Sequence, residues 1–240
     1  MLVTGDKNCL KEKENMNTNS VMFGDSIKVS VNVSKAIYFK AKRVFDIFVG
    51  MLGVLMMLPL AFIIKAVSIY NRDYDSIFFK QQRIGKNGKL FTMYKFRTMI
   101  PNADQVLIEL MRTNPEFRNE YYEKKKVKND PRITKIGKFL RKTSLDEVPQ
   151  FLNVLLGDMS LVGNRPYLPY EKEEMGGYYR IITSTKPGLT GIWQVSGRSN
   201  TTFQKRLILE KNYSLHCNFK TDIEIIWKTI FQVFKKDEAE

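Results

Sequence analysis

The apolar positions of this 240-residue chain fall into blocks of different rhythm. Met1 to Ser34 is polar, rich in Asn, Lys, Ser and Thr, without the positive start and apolar run of a signal peptide. It predicts a poorly ordered leader over residues 1–35, with a small structural element as the alternative. Val44 to Tyr70 is apolar, and Ile47 to Ile64 carries no charge. At about 1.5 Å per residue that run nearly matches the ~20 residues that cross a bilayer core. Pro59 lies inside it, where it removes a backbone hydrogen bond and bends a helix. Lys40, Lys42 and Arg43 precede the run; Lys65 and Arg72 follow it. Cations at both ends favour the same side of a membrane for both. A bent helix that enters and leaves one leaflet satisfies both observations. A simple crossing and a buried core helix are the alternatives.

Period-two patterning follows. Ile77–Ile84 and Lys89–Met99 read as strands, joined through Gly85-Lys86-Asn87-Gly88, and Asn-Gly is a hairpin signal. Lys95 and Arg97, two apart, share a strand face that is either solvated or functional. Asp104 to Tyr122 has helical spacing, broken at Pro115, and Glu123 to Asn129 is a charge-dense loop. Phe203–Tyr213 and Asp222–Phe234 read as amphipathic helices. The last, with Trp227 amid aliphatics and Lys235-Lys236 after it, suits a membrane interface or packing within the domain.

Charge narrows the partners. The excess of 39 Lys plus Arg over 25 Asp plus Glu, formally +14, draws polyanions: nucleic acid, an anionic membrane or phosphate-rich substrates. A nucleic-acid binder accounts for the charge but not for the apolar run. Cys9 and Cys217 show no zinc spacing, and nothing resembling a site surrounds His216, the only histidine.

The chemistry concentrates between Asp130 and Arg198. In Lys142–Asp158, KTSLDEVPQFLNVLLGD, Ser144 and Glu147 have capping-box spacing. A helix starting near Ser144, or at Asp146 as N-cap before Pro149, holds Asp146 and Glu147 at the positive end of its dipole. That position favours ionised carboxylates and nearby phosphate, although acids also sit there for stability alone. Context adds Arg141 upstream, Arg165 in a Gly- and Pro-bounded turn, and Arg198 beside Gly197. Gly188 and Gly191 allow close backbone approach. Guanidinium forks match phosphate oxygens, and carboxylates hold a hard cation that bridges a diphosphate. No GxxxxGK[ST] or GxGxxG is present.

Four ordered segments carry a family likeness: KRVFDIFVGMLGVLMMLP from Lys42, QQRIGKNGKLFTMYKFRTM from Gln81, Asp130–Pro166, and KPGLTGIWQVSGR from Lys186. Over roughly Ala41 to Phe234 the chain resembles the bacterial sugar transferase family, small monotopic phosphoglycosyl transferases that initiate polysaccharide and glycoconjugate assembly. The resemblance implies that Asp146 is a nucleophile attacking the phosphorus that bears the sugar, forming a phosphosugar-aspartyl intermediate. Glu147 would help organise the acid pair and Mg²⁺. Lys95, Arg141, Arg165 and Arg198 would hold phosphate or nucleotide groups, and Pro59 would mark the break of a reentrant helix. The implied partners are a UDP-sugar, polyprenol (undecaprenyl) phosphate and inner-membrane lipid, with the catalytic domain on the cytoplasmic face. Three positions depart from the family pattern: Asn164 stands for Pro, Leu58 for Ser and Glu210 for Asp. The extra membrane spans of larger members are not seen.

The expectation is thus an α/β chain in three parts: the leader at 1–35, a membrane-inserted helix-break-helix at 36–72, and at 73–240 a membrane-surface catalytic domain with a small β-hairpin and amphipathic helices. A non-catalytic membrane-surface scaffold of the same fold is the alternative function. Nucleic acid is not an expected partner, a homo-oligomer is compatible, and the sugar is not legible.

Overall fold

The computed structural model describes the backbone of residues 8–124, 127, 129–197 and 201–234. Within these segments side chains are described from residue 34 onward, apart from 123, 124, 233 and 234. The chain separates into two units, Met1–Val44 and Phe45–Glu240. The first is helical from Asn8 as the start of α1, which runs Asn8–Tyr70. Helical backbone thus begins within the polar segment: extending an existing helix is far cheaper than nucleating one, even through Asn and Ser.

In the second unit α1 is followed by a hairpin, β1 Phe78–Ile84 and β2 Leu90–Phe96, then α2 Ala103–Thr113, α3 Pro115–Lys124, α4 Lys135–Thr143 and α5 Gln150–Leu156. β3 Ser160–Val162 leads through two short helices, α6 Lys172–Met175 and α7 Tyr179–Ile182, to β4 Gly188–Thr190. α8 Ile192–Val195, α9 Phe203–His216 and α10 Phe219–Phe234 complete it. This is a mixed α/β fold with one long apolar helix and a small antiparallel hairpin. β3 and β4 pair in parallel, Ser160 opposite Gly188 and Val162 opposite Thr190.

The expected break at Pro59 is not an interruption of the helix: α1 continues through it to Tyr70. Proline deletes one N–H, so helical bonds can resume on either side of the gap. From Phe45 onward α1 shows two faces. Asp46, Gly50, Gly53, Met57, Ile64 and Ser68 recur at helical spacing and are buried. A Cβ at Gly53 would run into the Phe151 ring, so α5 seats directly on the α1 backbone. The Asp46 carboxylate accepts from Ser160 Oγ at 3.1 Å and Leu161 N–H at 2.8 Å. Phe48, Met56 and Phe62, on the other face, are 61%, 72% and 77% exposed, which argues against the core-helix alternative.

The hairpin is wedged between two cores, as strand alternation requires. Phe96 joins Met57, Ile64, Ile77 and Leu140 on one face; Phe91 and Met93 join Val154 and Met159 on the other. At its turn Asn87 and Gly88 take left-handed φ of 56° and 80°, which Asn and Gly tolerate best. β2 has a free edge, and Asn153 of α5 covers it: its Nδ2 donates to Thr92 carbonyl at 2.7 Å and its Oδ1 accepts from Tyr94 N–H at 3.0 Å. Arg97 ties the hairpin to the end of α1, with two bonds of 2.8 Å to the Asp73 carboxylate. Pro115 divides α2 from α3 where the sequence predicts.

Candidate active site

The acid pair lies between two helices. α4 ends at Thr143, and Ser144 turns the chain with a left-handed φ of 57°. A single 3₁₀ turn, Leu145–Glu147, carries both carboxylates ahead of Pro149, the N-cap of α5. The expected capping box does not form: Ser144 caps the C-terminus of α4 and its side chain makes no N-terminal capping bond. The acids precede α5 instead of occupying its first turn. Leu145 and Val148, on either side of the pair, pack into the cluster that holds Met57 and Ile64 of α1. The turn that carries the acids is thus anchored in the same core as the apolar helix.

One cavity of about 1090 Å³ gathers Lys95, Arg141, Asp146, Glu147 and Arg165 on its walls. Lys95 reaches it from β2 and bonds Glu147 Oε1 at 2.7 Å. Arg141, in the last turn of α4, donates from Nε to Thr98 Oγ1 at 2.9 Å. Arg165 enters from the loop after β3, with its guanidinium 3.7 Å from Glu171. Arg198 lies outside the described residues. Burial pushes the Asp146 carboxyl above its ordinary value, the charge of Glu147 adds to this, and Lys95 and Arg141 oppose it. The result is a carboxylate more basic than usual, facing cations. Among the described residues no group of three His, Cys, Asp or Glu side chains is placed to hold a metal. Two adjacent carboxylates are a donor set that suits Mg²⁺ when substrate phosphates supply further oxygens.

Gly188 and Gly191 do make close approaches, but to protein. A Cβ at either would collide with the backbone of Gly163, so these glycines bring the start of the loop that bears Arg165 against β4. Two further wall residues, Arg83 and Trp193, went unassigned in the sequence although both fall in the family segments. Alternation along β1 puts Arg83 on the face of Gln81 and Phe79, a signal that identifies the face but not what it lines. Burial, and then the nearby Arg165, lower the Arg83 guanidinium to about 10.

Fold and site together define a mixed α/β protein with one long apolar helix and a cavity in which two carboxylates meet three cations. The model of the bacterial sugar transferase family matches residues 37–236, and the chain belongs to that family. It is 42% identical over 213 residues to a UDP-galactose-lipid carrier transferase of Erwinia amylovora, covering 89% of this chain and 44% of that protein. It is 40% identical over 213 residues to the undecaprenyl-phosphate galactose phosphotransferase of Salmonella typhimurium, again 89% and 44%. Over 190 residues it is 40% identical to the exopolysaccharide production protein ExoY of Rhizobium meliloti, 79% of this chain and 84% of that one. The chain thus spans less than half the length of the first two relatives and most of the third.

Proposed function

We propose that the chain transfers a sugar 1-phosphate from a UDP-sugar to undecaprenyl phosphate, a membrane step that begins polysaccharide or glycoconjugate assembly. The observation that carries this is the meeting of Asp146 and Glu147 with Lys95, Arg141 and Arg165 in one cavity, on a turn whose Leu145 and Val148 pack against the cluster of the apolar helix. The cations neutralise a diphosphate that two carboxylates would otherwise repel. An Asp146 oxygen attacks the phosphorus bearing the sugar. The bond from that phosphorus to the UMP oxygen breaks, and UMP leaves with the electron pair. A polyprenol phosphate oxygen then attacks the same phosphorus and releases Asp146. Covalent catalysis of this kind divides one displacement into two, and the raised basicity of Asp146 suits a carboxylate nucleophile. Asp146 and Glu147 would hold Mg²⁺, whose charge would stabilise the diphosphate and the leaving UMP.

The exposed face of α1 supports attachment to the inner membrane, where the lipid carrier resides. In the reading we favour, the helix reenters the cytoplasmic leaflet and the domain faces the cytoplasm. Single cysteines introduced at Ser20 and Ser199, after Cys9 and Cys217 are removed, then both resist an impermeant thiol reagent in intact spheroplasts. Labelling of the first alone indicates a crossing. The names of the relatives make UDP-galactose and UDP-glucose the first donors to try. The test is a panel of UDP-sugars with undecaprenyl phosphate, scored by release of UMP. Silence across the panel from well-folded protein would favour a non-catalytic scaffold.

A further inference from the structure

α9 carries a polar stripe that none of these steps uses. Arg206, Glu210 and Ser214 recur at every fourth residue and so share a helical face. Glu210 and Ser214 are buried, and both bond the loop that bears Arg165. The Ser214 hydroxyl accepts from Asn164 Nδ2 at 2.6 Å, and Glu210 Oε1 accepts from the Arg165 backbone N–H at 3.0 Å. Arg206 lies against the Trp193 ring at 4.1 Å, and Arg165 lies 5.5 Å from that ring. On its other side the loop is held by the hairpin: Ile84 N–H donates to Tyr167 carbonyl at 2.8 Å, and Arg83 to Pro166 carbonyl at 2.9 Å.

Glu210 is the costly member of this set. It is 0% exposed, and burial drives its carboxyl up to about 7 against the opposing pull of Tyr167, the Arg165 N–H, Arg206 and Arg165. A glutamine would keep an acceptor for the Arg165 N–H without the cost of a buried charge. Holding the loop therefore does not by itself account for a carboxylate here. What a carboxylate adds is a negative charge beside two guanidinium groups that repel one another, those of Arg165 and Arg206, where Glu171 supplies part of the balance.

We propose that Glu210 is a positioning residue for Arg165: it fixes the loop backbone and offsets the neighbouring guanidinium charges, so that the Arg165 fork stays turned toward the diphosphate. This rests on the function proposed above. The test is a double-mutant cycle with Glu210→Gln and Arg165→Ala, read both as turnover of the active UDP-sugar and as equilibrium binding of UDP by calorimetry. Glu210→Gln lowers kcat/KM by ~10–100-fold, mostly through KM, as loss of a buried support for a functional side chain does. In the Arg165→Ala background the same change adds less than ~2-fold, because its effect passes through Arg165. Effects that multiply, or a Glu210→Gln protein that matches the wild type, overturn the proposal. UDP binding indifferent to Arg165→Ala overturns it as well, since Arg165 then has no phosphate to grip. Glu210→Asp, which keeps the charge, stands in if the glutamine variant does not fold, and the same non-multiplying pattern is expected. Failure of the transferase reading looks different: no UDP-sugar yields UMP, while coupling in UDP binding persists.

Discussion

The two walls of the cavity are built in opposite ways. The wall that bears Arg165 is tethered from several elements: Gly163 is packed on β4, Asn164 and Arg165 are bonded by α9, and Pro166 and Tyr167 are bonded by β1. The wall that bears Asp146 is one 3₁₀ turn entered through a left-handed serine, with Glu147 in a half-exposed ion pair to Lys95 and Asp146 held in a burial that disfavours its charge. One wall is over-determined and the other sits in an uncomfortable electrostatic state. The difference separates two tasks. A grip on an anion benefits from rigidity fixed before the substrate arrives, whereas a nucleophile benefits from a charge that is poorly satisfied until the reaction uses it.

The largest expected effect separates the walls most sharply. Asp146→Asn lowers turnover by at least ~10⁴-fold, as loss of a covalent nucleophile does. Its melting temperature at neutral pH does not fall, and rises if burial of the charge is the dominant cost. The sign follows from the raised carboxyl value. The group's contribution to stability is complete below the ordinary aspartate range and is lost as pH rises through the raised value. A variant that melts several degrees lower would show that the acid stabilises the turn, and the contrast would fail. Next, chelation by EDTA abolishes turnover and added Mg²⁺ restores it, while UDP binding through the arginine wall falls less; full activity in EDTA with verified metal removal counts against any role for the cation.

A smaller effect probes the link between the walls. Lys95 attracts the ionised form of Asp146, so Lys95→Met raises that carboxyl further. Catalysis needs the carboxylate, and the acid limb of the kcat/KM profile therefore moves to higher pH; an unmoved limb separates Lys95 from the nucleophile. The smallest effect tests redundancy in the arginine wall. Ser214→Ala removes one bond to Asn164, which keeps another to the Ile182 carbonyl at 3.0 Å. Stability drops by ~1 kcal/mol and kcat/KM by less than ~10-fold, measured by denaturant unfolding and steady-state kinetics. A collapse of activity would mean that the wall depends on a single tether.

Local patterns in the sequence reach the hairpin, the division at Pro115 and the gathering of acids with cations, because each depends on neighbouring residues or on a family segment. They fail at Ser144, where one spacing suits both a capping box and a left-handed helix end, and packing of Leu145 and Val148 decides between them. Glu210 sits in a helix whose polar positions look solvated, and only the fold buries it. Asn164 is the instructive departure. The sequence shows the loss of a stiffening proline, whereas the structure shows side-chain bonds to Ser214, 50 residues on, and to the Ile182 carbonyl. Such long-range partners leave no trace in a window of local sequence.

The Asp46 bonds have a consequence for biosynthesis. Leu161, whose backbone N–H it accepts, lies 115 residues later in the chain. At ~5–20 residues per second, a ribosome needs on the order of ten seconds to supply that partner after α1 emerges. During this interval a carboxylate stands at the head of an apolar helix with no domain to receive it. Sinking that position into hydrocarbon is costly, so Asp46 favours water at the start of the apolar stretch of α1 until the domain receives it. The same side chain then serves as the latch on which the finished domain closes.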